Sequence, residues 1–123
     1  MKNILILAGS PHPEGNSGSL AAALAEGVQQ AGGTVEIIQL ARQKISFCLG
    51  CDYCRSHGDM CIQQDDMAAI LTRVEAADAI VLATPLYFLN FSAQLKVCID
   101  RFYCRHHAGT LAGKTGALLV TSG

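Results

Sequence analysis

Apolar residues in this chain fall into short continuous runs, separated by stretches in which they recur every three or four positions. The runs Ile4–Ala8 (ILILA), Ala79–Thr84 (AIVLAT) and Ala117–Thr121 (ALLVT) show little alternation with polar residues. A strand covered on both faces of a parallel sheet reads this way. Thr34–Leu40 (TVEIIQL) is rich in β-formers and predicts a further strand. Between these lie helical spacings. Leu20, Leu24 and Val28 recur on one face before Gly32-Gly33 stops the helix, and Met67, Ile70, Leu71 and Val74 follow Asp65-Asp66 as a candidate N-cap. Leu95, Cys98, Ile99 and Phe102 share one face of a helix over Ser92–Arg101.

The order is therefore β-α-β-loop-α-β-α-β, which specifies a doubly wound parallel sheet in a three-layer α/β/α arrangement with right-handed crossovers. Residues 1–123 are expected to form one domain of this kind. A five-stranded version needs a further helix, strand and helix, so the sheet is expected to be truncated after its fourth strand. Ligands of such sheets bind at the carboxyl ends of the strands, where strand order switches sides.

Two connections occupy that position. The first, Gly9 to Ser19 (GSPHPEGNSGS), runs from a buried strand into a helix N-terminus, where unpaired N–H groups favour an anion. Ser10, Asn16, Ser17 and Ser19 add side-chain donors. The loop has neither the lysine of the triphosphate-binding P-loop nor the G-x-G-x-x-G spacing, so a phosphate monoester such as that of a flavin mononucleotide fits better. A plain polar turn with a helix cap also satisfies this loop taken alone. The second connection, Thr84 to Ser92 (TPLYFLNFS), offers Tyr87 and Phe88 as flat apolar surface beside backbone polar groups, or as caps on the core.

Composition narrows the partners. Half the residues are apolar, 15% are charged and the net charge is -1, which argues against a disordered tail and against nucleic-acid binding. The apolar run near the N-terminus is too short to span a bilayer and ends in Gly9-Ser10-Pro11 without a cleavage region, so a cytoplasmic location away from the membrane is expected. Six cysteines in such a chain favour thiols or metal ligands over disulfides.

Four of the six, Cys48, Cys51, Cys54 and Cys61, are spaced C-x2-C-x2-C-x6-C. Three closely spaced thiolates can reach one 4Fe-4S cluster with Cys61 closing the set, and Gly50 and Gly58 would let the backbone turn around it. Structural zinc, metal-free thiols and a redox disulfide through Cys51 and Cys54 are the competing readings. Cys98 reads as a core thiol and Cys104 as part of a solvated helix end beside Arg105-His106-His107. Lys96 and Asp100 are spaced for a surface ion pair, and with Arg101 they are assigned to structure or subunit contact.

Gly9-Ser10-Pro11 followed by Gly15-Asn16-Ser17 resembles the G-S-P-x-x-x-G-N-T/S phosphate loop of the flavodoxin-like NADPH-dependent FMN reductases. Cys48–Cys61 with Asp65-Asp66-Met67, then Ala77–Val81, Thr84–Tyr87, Ser92–Lys96 and Asp100-Arg101, are similar to that family in the same order. The cysteine pattern resembles the iron-sulfur flavoprotein subgroup. This resemblance implies a flavodoxin-like fold and FMN held with its phosphate at Ser10, Asn16 and Ser17. His12 stands where many members have arginine, which implies weaker or pH-dependent hold on the phosphate. Pro85, Leu86, Tyr87, Phe88 and Asn90 match the loop along the flavin ring, and Thr121, Ser122 and Gly123 match the start of the loop after the fourth strand.

By the same resemblance the chain is an FMN-dependent oxidoreductase or electron-transfer flavoprotein, with NAD(P)H as co-substrate and a 4Fe-4S cluster exchanging single electrons with the flavin. A homo-oligomer and an electron-carrier protein partner are also implied. The alternative is a non-enzymatic flavodoxin-like module or remnant with metal-free cysteines.

Overall fold

The protein was analysed as a computed structural model that describes residues 2–122. Five strands and three α-helices follow one another as β1 (Asn3–Ala8), α1 (Asn16–Gln30), β2 (Thr34–Gln39), α2 (Met67–Ala76), β3 (Ala79–Tyr87), β4 (Asn90–Phe91), α3 (Ala93–Asp100) and β5 (Thr115–Thr121). The long strands are parallel in the order β2-β1-β3-β5, and the short β4 is antiparallel to β3. From β1 the chain crosses through α1 to β2 on one side, then through α2 to β3 on the other. The switch in strand order thus lies between β1 and β3, and the loops leaving these strands open onto one crevice.

The continuous apolar runs are explained by coverage on both faces. Ile6, Val81 and Ala83 point toward α1, where they meet Ala21 and Leu24. Leu5, Leu7 and Ile80 point the other way, onto Met67, Ile70 and Val74 of α2 and Leu95 and Cys98 of α3. Three layers result, as the alternation of elements predicts.

Two elements differ from the sequence expectation. β3 passes through Pro85 to Tyr87 and turns back through Phe88-Leu89 into β4, so the segment read as a loop is a two-residue β-hairpin. The missing N–H of Pro85 did not end the strand, which still pairs Pro85 with Thr121 of β5. Helix α1 begins at Asn16 rather than Leu20, because its first turn is Asn-Ser-Gly-Ser and carries no apolar periodicity.

That first turn packs tightly against the loop before it. A Cβ on Gly18 would lie 1.9 Å from the Pro13 carbonyl oxygen, whereas one on Gly27 in the same helix would meet nothing within 4 Å. Gly18→Ala is therefore expected to destabilise the fold by about 1–3 kcal/mol through overpacking. Gly27→Ala should stabilise it by about 0.5–1 kcal/mol through lost chain entropy. Urea denaturation of the two variants beside the wild type reads both signs.

Candidate functional site

The two loops at the switch point are tied together. The Gly9 amide donates to the Ala83 carbonyl (2.8 Å), and the fully buried Ser92 hydroxyl donates to the Gly9 carbonyl (2.6 Å). Ser92 Oγ also accepts from the Leu95 amide (3.3 Å), capping α3, while the Ser92 amide donates to Thr84 Oγ1 (3.0 Å). A Cβ on Gly9 would lie 2.7 Å from Ser92 Oγ, so only glycine lets the phosphate-type loop approach α3 this closely.

Ser10 is buried, and its hydroxyl accepts from the His12 amide (3.0 Å) and donates to the His12 carbonyl (3.2 Å). It shapes the loop as well as standing in it. His12 and Asn16 are exposed, and Ser17 is buried in the first turn of α1. Gly15 occupies the N-cap position and no side chain caps the helix. The first amides of a 15-residue helix are thereby left free for an anion, at the positive end of its dipole. This arrangement fits the phosphate of a mononucleotide.

Across the crevice stand Pro85, Leu86 and Tyr87 at the end of β3, with Phe88 and Leu89 at the hairpin tip. Phe88 and Leu89 have positive φ (44° and 71°), the sense that a two-residue hairpin demands, and Phe88 is 97% exposed. Asn90 follows in β4, where its side-chain oxygen accepts from the Phe91 amide (2.8 Å). Thr121 and Ser122 lie at the carboxyl end of β5, and Thr121 pairs with Pro85. Gly123 lies outside the described residues. Every described residue of the expected flavin set is thus at the carboxyl edge of the sheet.

The cysteine segment lies between β2 and α2. Cys48, Cys51, Cys54 and Cys61 line one cavity of about 30 Å³, and buried Cys104 lines it with them. The backbone curls around it through positive φ at Gly50, Asp52, Gly58 and Asp59, as the two glycines predict. Cys48 Sγ accepts from the Gly50 amide and Cys61 Sγ from the Gln63 amide, both at 3.4 Å. Burial pushes the Cys54 thiol up. Among the described residues no three His, Cys, Asp or Glu groups approach closely enough to hold a single metal ion. The four cysteines lining this cavity are the ligand type that an iron-sulfur cluster takes.

Three side chains fasten this segment from outside. Arg101 is buried and forms a bidentate pair with Asp65, its Nη1 at 2.7 Å and its Nη2 at 3.0 Å from the carboxylate oxygens. Nη1 also donates to the Ser46 carbonyl (2.7 Å), and Asp65 accepts from the Ser46 and Met67 amides. Tyr103 donates to Asp52 (2.9 Å), and Arg105 holds the Asp59 carbonyl while pairing with Glu75. Asp66 does not cap α2 with its side chain. Its carboxylate accepts from the Lys44 amide (2.6 Å) and pins the segment's start.

Cys104 corrects the sequence reading, whereas Arg101, assigned to structure or subunit contact, is buried in a structural pair while Lys96 and Asp100 pair on the exposed face of α3. The signal was present: Leu95, Cys98 and Arg101 recur every three residues, so the face that buries the first two buries the third. Cys104 belongs to the main core and not to a solvated helix end. Cys98 is a core thiol as expected, 4.0 Å from Met67 Sδ and pushed up to about 12 by burial.

A family model described as NADPH-dependent FMN reductase matches residues 2–123. An iron-sulfur flavoprotein of Archaeoglobus fulgidus is 40% identical over 120 residues, which are 98% of this chain and 54% of that protein. Another, from Methanocaldococcus jannaschii, is 38% identical over 98 residues, 80% of this chain and 50% of that protein. The chain thus spans about half the length of these curated relatives. In three dimensions it matches an azoreductase from Bacillus anthracis with a TM-score of 0.76 at 20% identity, covering 100% of this chain and 70% of that one. The shared fold is flavodoxin-like.

The Asp65 carboxyl yields a pH test. Burial raises its pKa, but Arg101 and the Ser46 and Met67 amides outweigh burial and hold it below the unfolded value of 3.8. The unfolded chain therefore binds this proton more readily. The pair's contribution is complete above about pH 4 and is lost as pH falls through the lower folded value. Asp65→Asn is expected to cost about 3–5 kcal/mol at pH 6 by leaving Arg101 uncompensated. Thermal melts should show the gap to wild type narrowing from pH 4 toward pH 2.

Proposed function

Since the chain belongs to the NADPH-dependent FMN reductase family, we propose that it is an FMN-dependent oxidoreductase that takes electrons from NAD(P)H and also carries a 4Fe-4S cluster. The observation that carries this reading is the pairing of two sites. An uncapped helix N-terminus faces an aromatic hairpin at the sheet's switch point, and four cysteines line one cavity beside the same helix α3.

Ser10, Asn16, Ser17 and the first amides of α1 would hold the FMN phosphate, with His12 at the exposed rim. Pro85, Leu86, Tyr87, Phe88 and Asn90 would border the ring, with Thr121, Ser122 and Gly123 on the β5 side. Cys48, Cys51, Cys54 and Cys61 would ligate the cluster. When bound, FMN supplies hydride and single-electron chemistry and the cluster supplies one-electron transfer. The chain's own part is to bind and orient. Backbone amides would neutralise the phosphate and the hairpin aromatics would give the ring an apolar wall, while the Gly50 and Gln63 amides donate to the Cys48 and Cys61 sulfurs. No side chain here is assigned the role of general acid or base. That the A. fulgidus relative is an iron-sulfur flavoprotein supports the cluster. A homo-oligomer passing electrons to a carrier protein completes the reading.

The alternative is a non-enzymatic flavodoxin-like module with metal-free cysteines. NADPH oxidation at 340 nm by FMN-loaded protein separates the two, since only the first consumes NADPH with an added acceptor.

Two outcomes test the cofactor assignments. Titration with FMN should quench its fluorescence at one equivalent per chain, and Tyr87→Ala should weaken binding roughly tenfold through the lost aromatic contact. Saturating FMN that leaves the fluorescence unquenched would remove the flavin reading. Anaerobic reconstitution should give about four iron and four sulfide per chain, and Cys54→Ser should lose most of both. Free thiols throughout would leave FMN alone.

A further inference from the structure

Arg101 is over-provided for a structural pair. Its guanidinium has five N–H donors. Three serve the Asp65 carboxylate and the Ser46 carbonyl. Nε is buried and meets no acceptor among the described residues. Burying a donor without a partner is costly, and such groups mark a function or an unseen ligand. The side chain is only 2% exposed and lines the cysteine cavity. Cys61 lines the same cavity as Arg101.

We propose that Arg101 is a positioning residue of the cysteine site, whose Nε–H donates a hydrogen bond to a sulfur of the cluster or its ligands and thereby sets the cluster's reduction potential. The inference rests on the cluster reading above. Asp65 neutralises Arg101 overall, so the hydrogen bond and not net charge distinguishes this residue. Donors to cluster sulfurs stabilise the more negative, reduced state and make reduction easier. The bidentate fork fixes where Nε can point, because Asp65 is itself held by the Ser46 and Met67 amides.

Two variants remove Nε–H while keeping the net charge of the pair. Arg101→Lys keeps both charges, and the double variant Asp65→Asn with Arg101→Gln keeps neither. The double variant avoids a buried unpaired carboxylate and serves if the lysine variant fails to fold, as circular dichroism would reveal. Wild type and variants are reconstituted with ferrous iron and sulfide, then equilibrated with a one-electron viologen dye. The equilibrium constant for cluster reduction should fall threefold or more in a folded, loaded variant, a change that merely holding Asp65 would not produce. A shift of less than threefold overturns the inference and leaves the cluster standing. Wild-type protein that takes up no iron and sulfide overturns the cluster reading and this inference with it.

Discussion

The buried pair between Arg101 and Asp65 is the fastening on which the cysteine segment depends. Between Gln43 and Gln64 the chain has one short 3₁₀ turn and no strand, so no backbone ladder fixes the positions of the four sulfurs. Ordering so many irregular residues costs about 1–2 kcal/mol each in backbone entropy. Side-chain ties supply the restraint instead. Asp65 and Asp66 hold Ser46 and Lys44, Gln63 holds the Phe47 carbonyl, Tyr103 holds Asp52 and Arg105 holds Asp59. Arg101 joins this set to α3 across 36 positions of sequence.

Helix α3 links the two proposed cofactor sites mechanically. At its start, Ser92 bonds Gly9 and Leu95 and receives nothing from solvent. Just past its end, Arg101 bonds the cysteine segment. The helix has eight residues, a rise of about 12 Å, so one rigid rod sets the separation between the flavin loops and the cysteine cavity. Its inner face, Leu95 and Cys98, is sealed against Met67 in the core, which keeps that rod from sliding.

The fold was legible because burial on both faces of a parallel sheet writes itself as unbroken apolar runs such as Ile4–Ala8. The flavin loops were legible as positions, since strand ends and glycines mark them. The hairpin at Phe88-Leu89 was not, because its turn uses two large residues at positive φ where glycine or asparagine is the usual signal. The burial of Cys104 was missed for a related reason. It depends on which way the end of a short helix faces, and polar neighbours such as Arg105 and His106 made that face look solvated. The four motif cysteines announced themselves by spacing, whereas their sharing of one cavity with Arg101 and Cys104 came only with the folded chain.

The decisive place to look is the crevice between β1 and β3. Amide hydrogen exchange with and without saturating FMN resolves it segment by segment. Slowed exchange is expected both in the Gly9–Ser19 loop with the first turn of α1 and in the Thr84–Ser92 hairpin, with the distant end of α1 unchanged. FMN that binds while protecting neither segment would place the flavin elsewhere and refute the switch-point site.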